Sequence, residues 1–279
     1  MTPPDLALSA DIGTAEKRSA SGPARSRQVA VAMLRVAAPV ASVLLLWYCS
    51  IWFSGLPAFV IPRPERVLEV LWVDHAFILE HLWATLQVAA IGFLWANVAG
   101  IGLAVLFDLL PPTRHLLLPA AITLRNVPYI ALISVLMLAF GDSILSKTSI
   151  VALSGFFPVL VNTMAGLRAA DEVQLDRMRI LNASWWQTFS QVRLPYALPS
   201  IVAAQEITGS GAIIVAIAAE WMISSTGLGY VINNAMQNYR GDKVYAVALL
   251  ATALSFLIFS FVHSLGKRLD WRTGYQQRG

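Results

Sequence analysis

The chain has 279 residues, 57% of them hydrophobic and 13% charged, with a formal net charge of +4. An average soluble domain is about 45–50% apolar and about 25% charged, so a water-soluble globule is excluded and lipid is the medium that the excess apolar surface requires. The lone cysteine, Cys49, lies in an apolar run and reads as filler; it excludes an intrachain disulfide and a cysteine-rich metal cluster.

In chain order, the first 28 residues are polar, rich in Ser, Ala and Arg, and carry Asp5, Asp11 and Glu16. This matches neither a cleaved signal nor an organellar transit peptide. It predicts a disordered tail, and residues 1–35 are assigned to it. A helix that crosses a bilayer needs about 20 mostly apolar residues. Six segments qualify: 36–53, 82–107, 116–140, 149–167, 198–223 and 244–265. They define a transmembrane domain over 36–265, followed by a tail over 266–279. Between the first two spans, 55–80 holds Pro57, Pro62 and Pro64 and reads as a polar loop. The connections 108–115 and 141–148 are short. The stretch 168–195 is long and charged, and 224–243 holds Gly227-Leu228-Gly229.

Lys and Arg set the orientation. With the N-terminus inside, the inside segments hold 14 of the 20 basic residues, the outside segments hold 5, and Arg125 lies within a span. Both termini and the 168–195 loop are therefore expected in the cytoplasm. Trp47, Trp52, Trp72 and Trp83 fall near span ends and read as an interfacial aromatic belt.

The 168–195 loop carries its own pattern. Leu175, Met178, Leu181, Trp185, Phe189 and Val192 recur at spacings of 3 and 4, which mark one helical face. Asn182 tolerates the left-handed conformation that ends a helix. Ser184 followed by Gln187 fits a capping box that restarts one. Two short helices with a corner at Asn182-Ala183 are expected. They form either a projecting knob that fits a partner's groove or an amphipathic segment lying on the headgroups.

This loop resembles the EAA signature of the permeases of binding-protein-dependent ABC importers. Asp176-Arg177-Met178 stands where Glu-Ala-Ala would be, Asn182 stands at the glycine, and Val192-Arg193-Leu194-Pro195 matches the ending. Other stretches are similar to the nitrate, sulfonate and taurine branch: Leu56-Pro57, Ile61-Pro62-Arg63-Pro64, His81 to Thr85, Asn126-Val127-Pro128 and, most specifically, Ser225 to Tyr230. The resemblance implies a six-span all-α permease of the type I importer kind in the bacterial inner membrane, with a cytoplasmic coupling helix between spans four and five. Its implied partners are a second permease copy or paralogue, a cytoplasmic ABC ATPase dimer, an extracytoplasmic substrate-binding protein and membrane lipid. No cofactor is then expected on this chain; ATP and Mg belong to the ATPase. Asp176, Arg177, Met178, Asn182, Ala183, Trp185, Leu194 and Pro195 are the implied coupling residues, with Trp186 read as a further partner contact.

Ionisable residues inside spans usually face a bundle interior or a water cavity. Arg125, Asn126, Glu206, Ser210 and Glu220 are therefore candidates for a translocation path. A structural pairing of Arg125 with a glutamate is the plain alternative. Glu206 and Glu220 are 14 positions apart, nearly one helical face at about 100° per residue. Gly141 to Thr148 approaches a phosphate loop, but Ser146 replaces its second glycine and no strand precedes it. The four histidines show no spacing that pairs them with a carboxylate and a nucleophile, and the basic residues follow membrane topology rather than a nucleic-acid patch. A membrane enzyme would need clustered His, Asp or Glu at span ends, and a secondary transporter would show inverted repeats; neither signal is present.

Overall fold

The computed structural model describes residues 23–269. It divides into two units, one up to Pro57 and one from Ala58 onward. The first contains helix α1 (Pro23–Ser54), which begins ahead of the expected first span at residue 36. Of the expected tails, 1–35 and 266–279, residues 1–22 and 270–279 lie outside the described residues, whereas 23–35 belong to α1 and 266–269 to the last helix.

In the second unit every regular element among the described residues is a helix. The unit comprises α2 (Pro64–Val73), α3 (His75–Leu109), α4 (Pro111–Arg125), α5 (Tyr129–Phe140), α6 (Ile144–Arg168), α7 (Glu172–Ile180), α8 (Trp185–Thr188), a π-helical turn (Phe189–Arg193), α9 (Leu194–Ile223), α10 (Leu228–Gln237) and α11 (Gly241–Leu269). Four segments are long and apolar enough to cross a membrane: His75–Leu109, Ile144–Arg168, Trp185–Met222 and Gly241–Lys267. Their outward faces carry Leu94, Trp95, Val98, Ile207, Ile214, Phe256 and Leu257, all exposed. That much contiguous apolar surface is sustained in lipid, not in water.

The expected third span, 116–140, is not one helix. It is broken between α4 and α5 at Asn126-Val127-Pro128. Pro128 has no N–H to donate and disfavours helical geometry at Val127. The last amides of α4 instead close short turns, Asn126 N–H to Thr123 O and Val127 N–H to Leu124 O. The two expected loops that contain helices, α2 and α10, also differ from the sequence reading; both are short amphipathic segments that bury Val67, Val70, Leu228 and Val231.

The bundle centre is a seam between α3 and α6. Gly92, Ala96, Gly100 and Ala104 recur every fourth residue on α3 and are buried. A Cβ on Gly92 would lie 2.5 Å from Val151 Cβ, one on Gly100 2.8 Å from Val159 Cγ1, and one on Gly155 3.0 Å from Ala96 Cβ. Small residues at four-residue spacing let membrane helices approach at backbone range, where packing drives association. Gly166 repeats the device against α9, with a Cβ there 2.9 Å from Ala197 Cα.

Candidate functional site

At one end of the bundle, local chemistry builds the loop between α6 and α9. Asp171 caps α7 by accepting the Val173 N–H at 3.1 Å. Asn182 sits at φ +49. Ala183 N–H donates to Met178 O, and Asn182 N–H to Arg179 O, each at 3.0 Å. These two bonds close the helix in the Schellman manner. Ser184 accepts the Gln187 N–H at 3.3 Å while Gln187 Oε1 accepts the Ser184 N–H at 2.7 Å. The expected corner and capping box are both present.

Beyond the capping box the chain departs from expectation. The second helix is not separate: α8 runs through the π-helical turn into α9 as one helical segment, Trp185–Met222. Pro195 lies in the first turn of α9, has no N–H, and its ring crowds the carbonyl four residues back. The widened turn, with Leu194 N–H donating to Phe189 O, carries the helix past it.

The expected apolar stripe also divides at the corner. Phe189 and Val192 are buried, and Trp185 stacks on Phe189 at 5.0 Å as part of the core formed with Phe107 and Leu160. Trp185, half-buried, thus packs against the bundle, into which the same helical face continues. Met178, Ala183, Leu194 and Pro195 are half-buried, while Asp176, Arg177 and Asn182 are exposed. Asp176 accepts from Arg179 Nη1 at 2.6 Å. The apolar side chains that face outward are Ile180 (82% exposed), Leu181 (73%) and Trp186 (65%), joined by Val173. Ile180 was missed because it lies off the periodic stripe.

The structure does not bring the span candidates together. Arg125 is exposed at the end of α4, with its guanidinium 4.9 Å above the Phe157 ring of α6. Among the described residues it makes no ion pair. Asn126, beside it, is exposed at the helix break. Glu206 faces α11, where its Oε1 lies 3.0 Å from His263 Nδ1. That pairing spans 57 positions, beyond what spacing in the sequence can show. The Ser210 hydroxyl donates to Glu206 O at 2.7 Å and lines a groove of about 560 Å³ with Ile214, Thr252, Ser255 and Phe259. Glu220 shares nearly the same helical face as Glu206 but sits about 21 Å further along α9, so its partners are different.

Glu220 is 1% exposed and anchors a latch at the other end of the bundle. Its Oε2 accepts the Thr85 hydroxyl of α3 at 2.7 Å and the Gly229 N–H at 3.1 Å. Thr85 Oγ1 in turn accepts the Leu228 N–H at 2.8 Å, and His81 Nδ1 accepts the Gly227 N–H at 3.0 Å. A buried carboxylate is tolerable only with such donors. Gly227 has φ +95 and ψ 169, and a Cβ there would collide with the Glu220 carboxylate. Gly229 is equally constrained, since its Cβ would lie 2.6 Å from Glu220 Cβ.

Beside the latch, Lys147 Nζ donates to Asp142 Oδ1 and to Ser224 Oγ, both at 2.9 Å. The backbone and hydroxyl of Ser225 donate to Asp142 Oδ2 at 2.9 and 3.0 Å. Burial alone would push the Asp142 carboxyl up, but the bonds from Lys147 and Ser225 together hold it below its ordinary value. The segment that approaches a phosphate loop is therefore a helix start whose lysine is committed to an ion pair. The distinctive run from Ser225 to Tyr230 acts as a turn strapped to α3, α9 and the connection ahead of α6.

The comparisons with known proteins agree with this architecture. The family described as "Binding-protein-dependent transport system inner membrane component" matches residues 96–271. A Bacillus subtilis chain named as the aliphatic sulfonates transport permease protein SsuC is 32% identical over 85% of this chain and 87% of its own. The taurine transport system permease protein TauC of Escherichia coli is 27% identical over 88% and 90%. A chain of the MetNI methionine ABC transporter, solved in inward-facing conformations, superposes with a TM-score of 0.63 at 16% identity, over 72% of this chain and 98% of that one. With the fold, the long apolar spans and the loop signature in place, the chain belongs to the inner-membrane components of binding-protein-dependent ABC importers, as a multi-pass permease subunit that is not itself an ATPase.

Proposed function

We propose that this permease couples ATP hydrolysis on a separate cytoplasmic ATPase dimer to the passage of a small anionic or polar organic substrate, delivered by an extracytoplasmic binding protein. One observation carries the reading: α7, its left-handed corner and the capping box rigidly present Ile180, Leu181 and Trp186 to the outside of the bundle. An apolar knob of this kind suits a groove on a partner protein, and large apolar and aromatic side chains dominate such contacts. In this reading the chain has six spans, counting α1 as the first and α4–α5 together as a broken third. Both termini and the α7–α8 loop are cytoplasmic, and a second permease copy completes the path. Arg125, Asn126, Glu206 and Ser210 line that path, whereas Glu220 acts by holding the latch. Sulfonate, taurine or nitrate-type anions are the proposed cargo, supported by the names of the SsuC and TauC relatives and by the guanidinium of Arg125, which has no ion-pair partner among the described residues.

The test is co-purification with the cognate ATPase, followed by uptake in proteoliposomes. Wild type is expected to retain the ATPase, and the triple variant Ile180→Ser, Leu181→Ser, Trp186→Ala to lose it while staying monodisperse. Arg125→Gln and Glu206→Gln are expected to retain the ATPase but lower alkanesulfonate uptake. A folded wild-type chain that binds no ATPase would overturn the reading and leave a stand-alone carrier.

A further inference from the structure

The loop enters the membrane span through the π-helical turn Phe189–Arg193. Such turns are rare and occur where a helix is locally loosened, frequently at functional sites. Left unsupported, this one would let the loop flex against α9, and a push on the loop would be lost in that flexing.

The turn is supported from the side. Phe189 packs with Ala104 and Phe107 of α3, Ala121 of α4, and Leu160 and Leu167 of α6. Arg193, the last residue of the turn, donates from Nη1 to Asp108 Oδ1, one position before the end of α3. The Asp108 side chain is 10% exposed, and its second oxygen, Oδ2, is buried without a hydrogen-bond partner. That carboxylate shares a small cavity with Arg168, the last residue of α6, and Arg114 of α4 is the cationic neighbour of Arg168. One carboxylate thus stands where α3, α4, α6 and the π turn meet, among arginines from the other three. A carboxylate is disfavoured at the negative end of a helix dipole, and a buried one needs partners, so the Arg193 bond, with the positive charge of Arg168 beside it, offsets that cost.

We propose that Asp108 is a positioning residue for coupling: through Arg193 it ties the π turn to α3, so that displacement of the α7–α8 loop is delivered to α3 and α6 as a rigid-body movement. This inference rests on the reading of the loop as the ATPase contact.

The experiment uses the complete importer, permease with ATPase and binding protein, in proteoliposomes, and reads ATP hydrolysis and substrate uptake together. Asp108→Asn keeps the shape and removes the charge. The ATPase is expected to co-purify and hydrolyse ATP, while uptake per ATP falls, within the about 5- to 150-fold range of ordinary coupling between sites. Arg193→Gln should reproduce the defect and Arg193→Lys should recover part of it. Uptake per ATP unchanged in Asp108→Asn overturns the proposal, because a purely structural pair lowers both rates with the amount of folded protein. Should Asp108→Asn fail to accumulate, Arg193→Gln, on a side chain 29% exposed, carries the test. Failure of both to fold makes the pair a structural lock and also overturns it. A wild-type complex without bound ATPase defeats the underlying loop reading instead, and is seen before any variant is compared.

Discussion

Replacing Gly227 by alanine should break the latch at two points at once. The residue sits at φ +95 and ψ 169, a region essentially reserved for glycine, and holding another residue there costs on the order of 1–3 kcal/mol. The new Cβ would also collide with the Glu220 carboxylate. If Glu220 moves aside, the Thr85 hydroxyl and the Gly229 N–H lose their acceptor inside a site that is 1% exposed. Each buried group left unsatisfied costs about 1–3 kcal/mol. The Thr85 hydroxyl can turn to His81 O, 3.3 Å away, so strain plus the one unsatisfied Gly229 N–H comes to roughly 2–6 kcal/mol, against a whole-protein stability of about 5–15 kcal/mol. Thermal unfolding of the detergent-purified chain, followed by size-exclusion chromatography, should show a large fall in midpoint. Gly102→Ala is the control: nothing lies within 4 Å of its added Cβ, and in a helix alanine is favoured over glycine by roughly 0.5–1 kcal/mol. If Gly227→Ala melts with Gly102→Ala, the strapped turn does not stabilise the bundle.

Two further substitutions separate causes elsewhere. At the loop corner, Asn182→Gly should preserve ATPase retention, whereas Asn182→Val should weaken it, because a β-branched residue at φ +49 bears a left-handed penalty of roughly 1–2 kcal/mol; the opposite order in a pull-down would refute the corner's role. At the latch end, the Asp142 pKa is lowered from an ordinary value of 3.8, so its stabilisation is complete above that value and is lost as the pH falls through the lower folded one. Wild type should therefore lose thermal stability in acid more steeply than Asp142→Asn, which is already weakened at neutral pH by leaving the buried Lys147 unpaired. Parallel loss in the two chains would rule out this ion pair as the acid-sensitive contact.

The parts of this site that were legible in the sequence are those settled within a few residues. The corner at Asn182-Ala183 and the Ser184–Gln187 box depend on backbone bonds spanning five positions or fewer, so residue type at fixed spacing was enough. The break at Asn126-Val127-Pro128 was written in the sequence too, but hydropathy stays high on both sides, and an apolar-run criterion does not register a missing N–H. Burial of Trp185 was hidden for another reason: one helical face continues from the loop into the bundle, and periodicity cannot say where packing begins. Glu220 with Thr85, 135 positions apart, and Arg193 with Asp108, 85 apart, are products of helix packing alone. No local pattern distinguishes these carboxylates from ones that line a path.

The seam between α3 and α6 also sets which motions are open to the molecule. Its valines and glycines alternate: Val151 over Gly92, Gly155 over Ala96, Val159 over Gly100. Sliding one helix by a single turn would set Val151 on Ala96 and Val159 on Ala104, a valine against a methyl where only a glycine hydrogen fits. The two helices therefore act like a keyed shaft, unable to creep past one another in small steps. Whatever opens one side of the bundle and closes the other must swing this pair as a single lever.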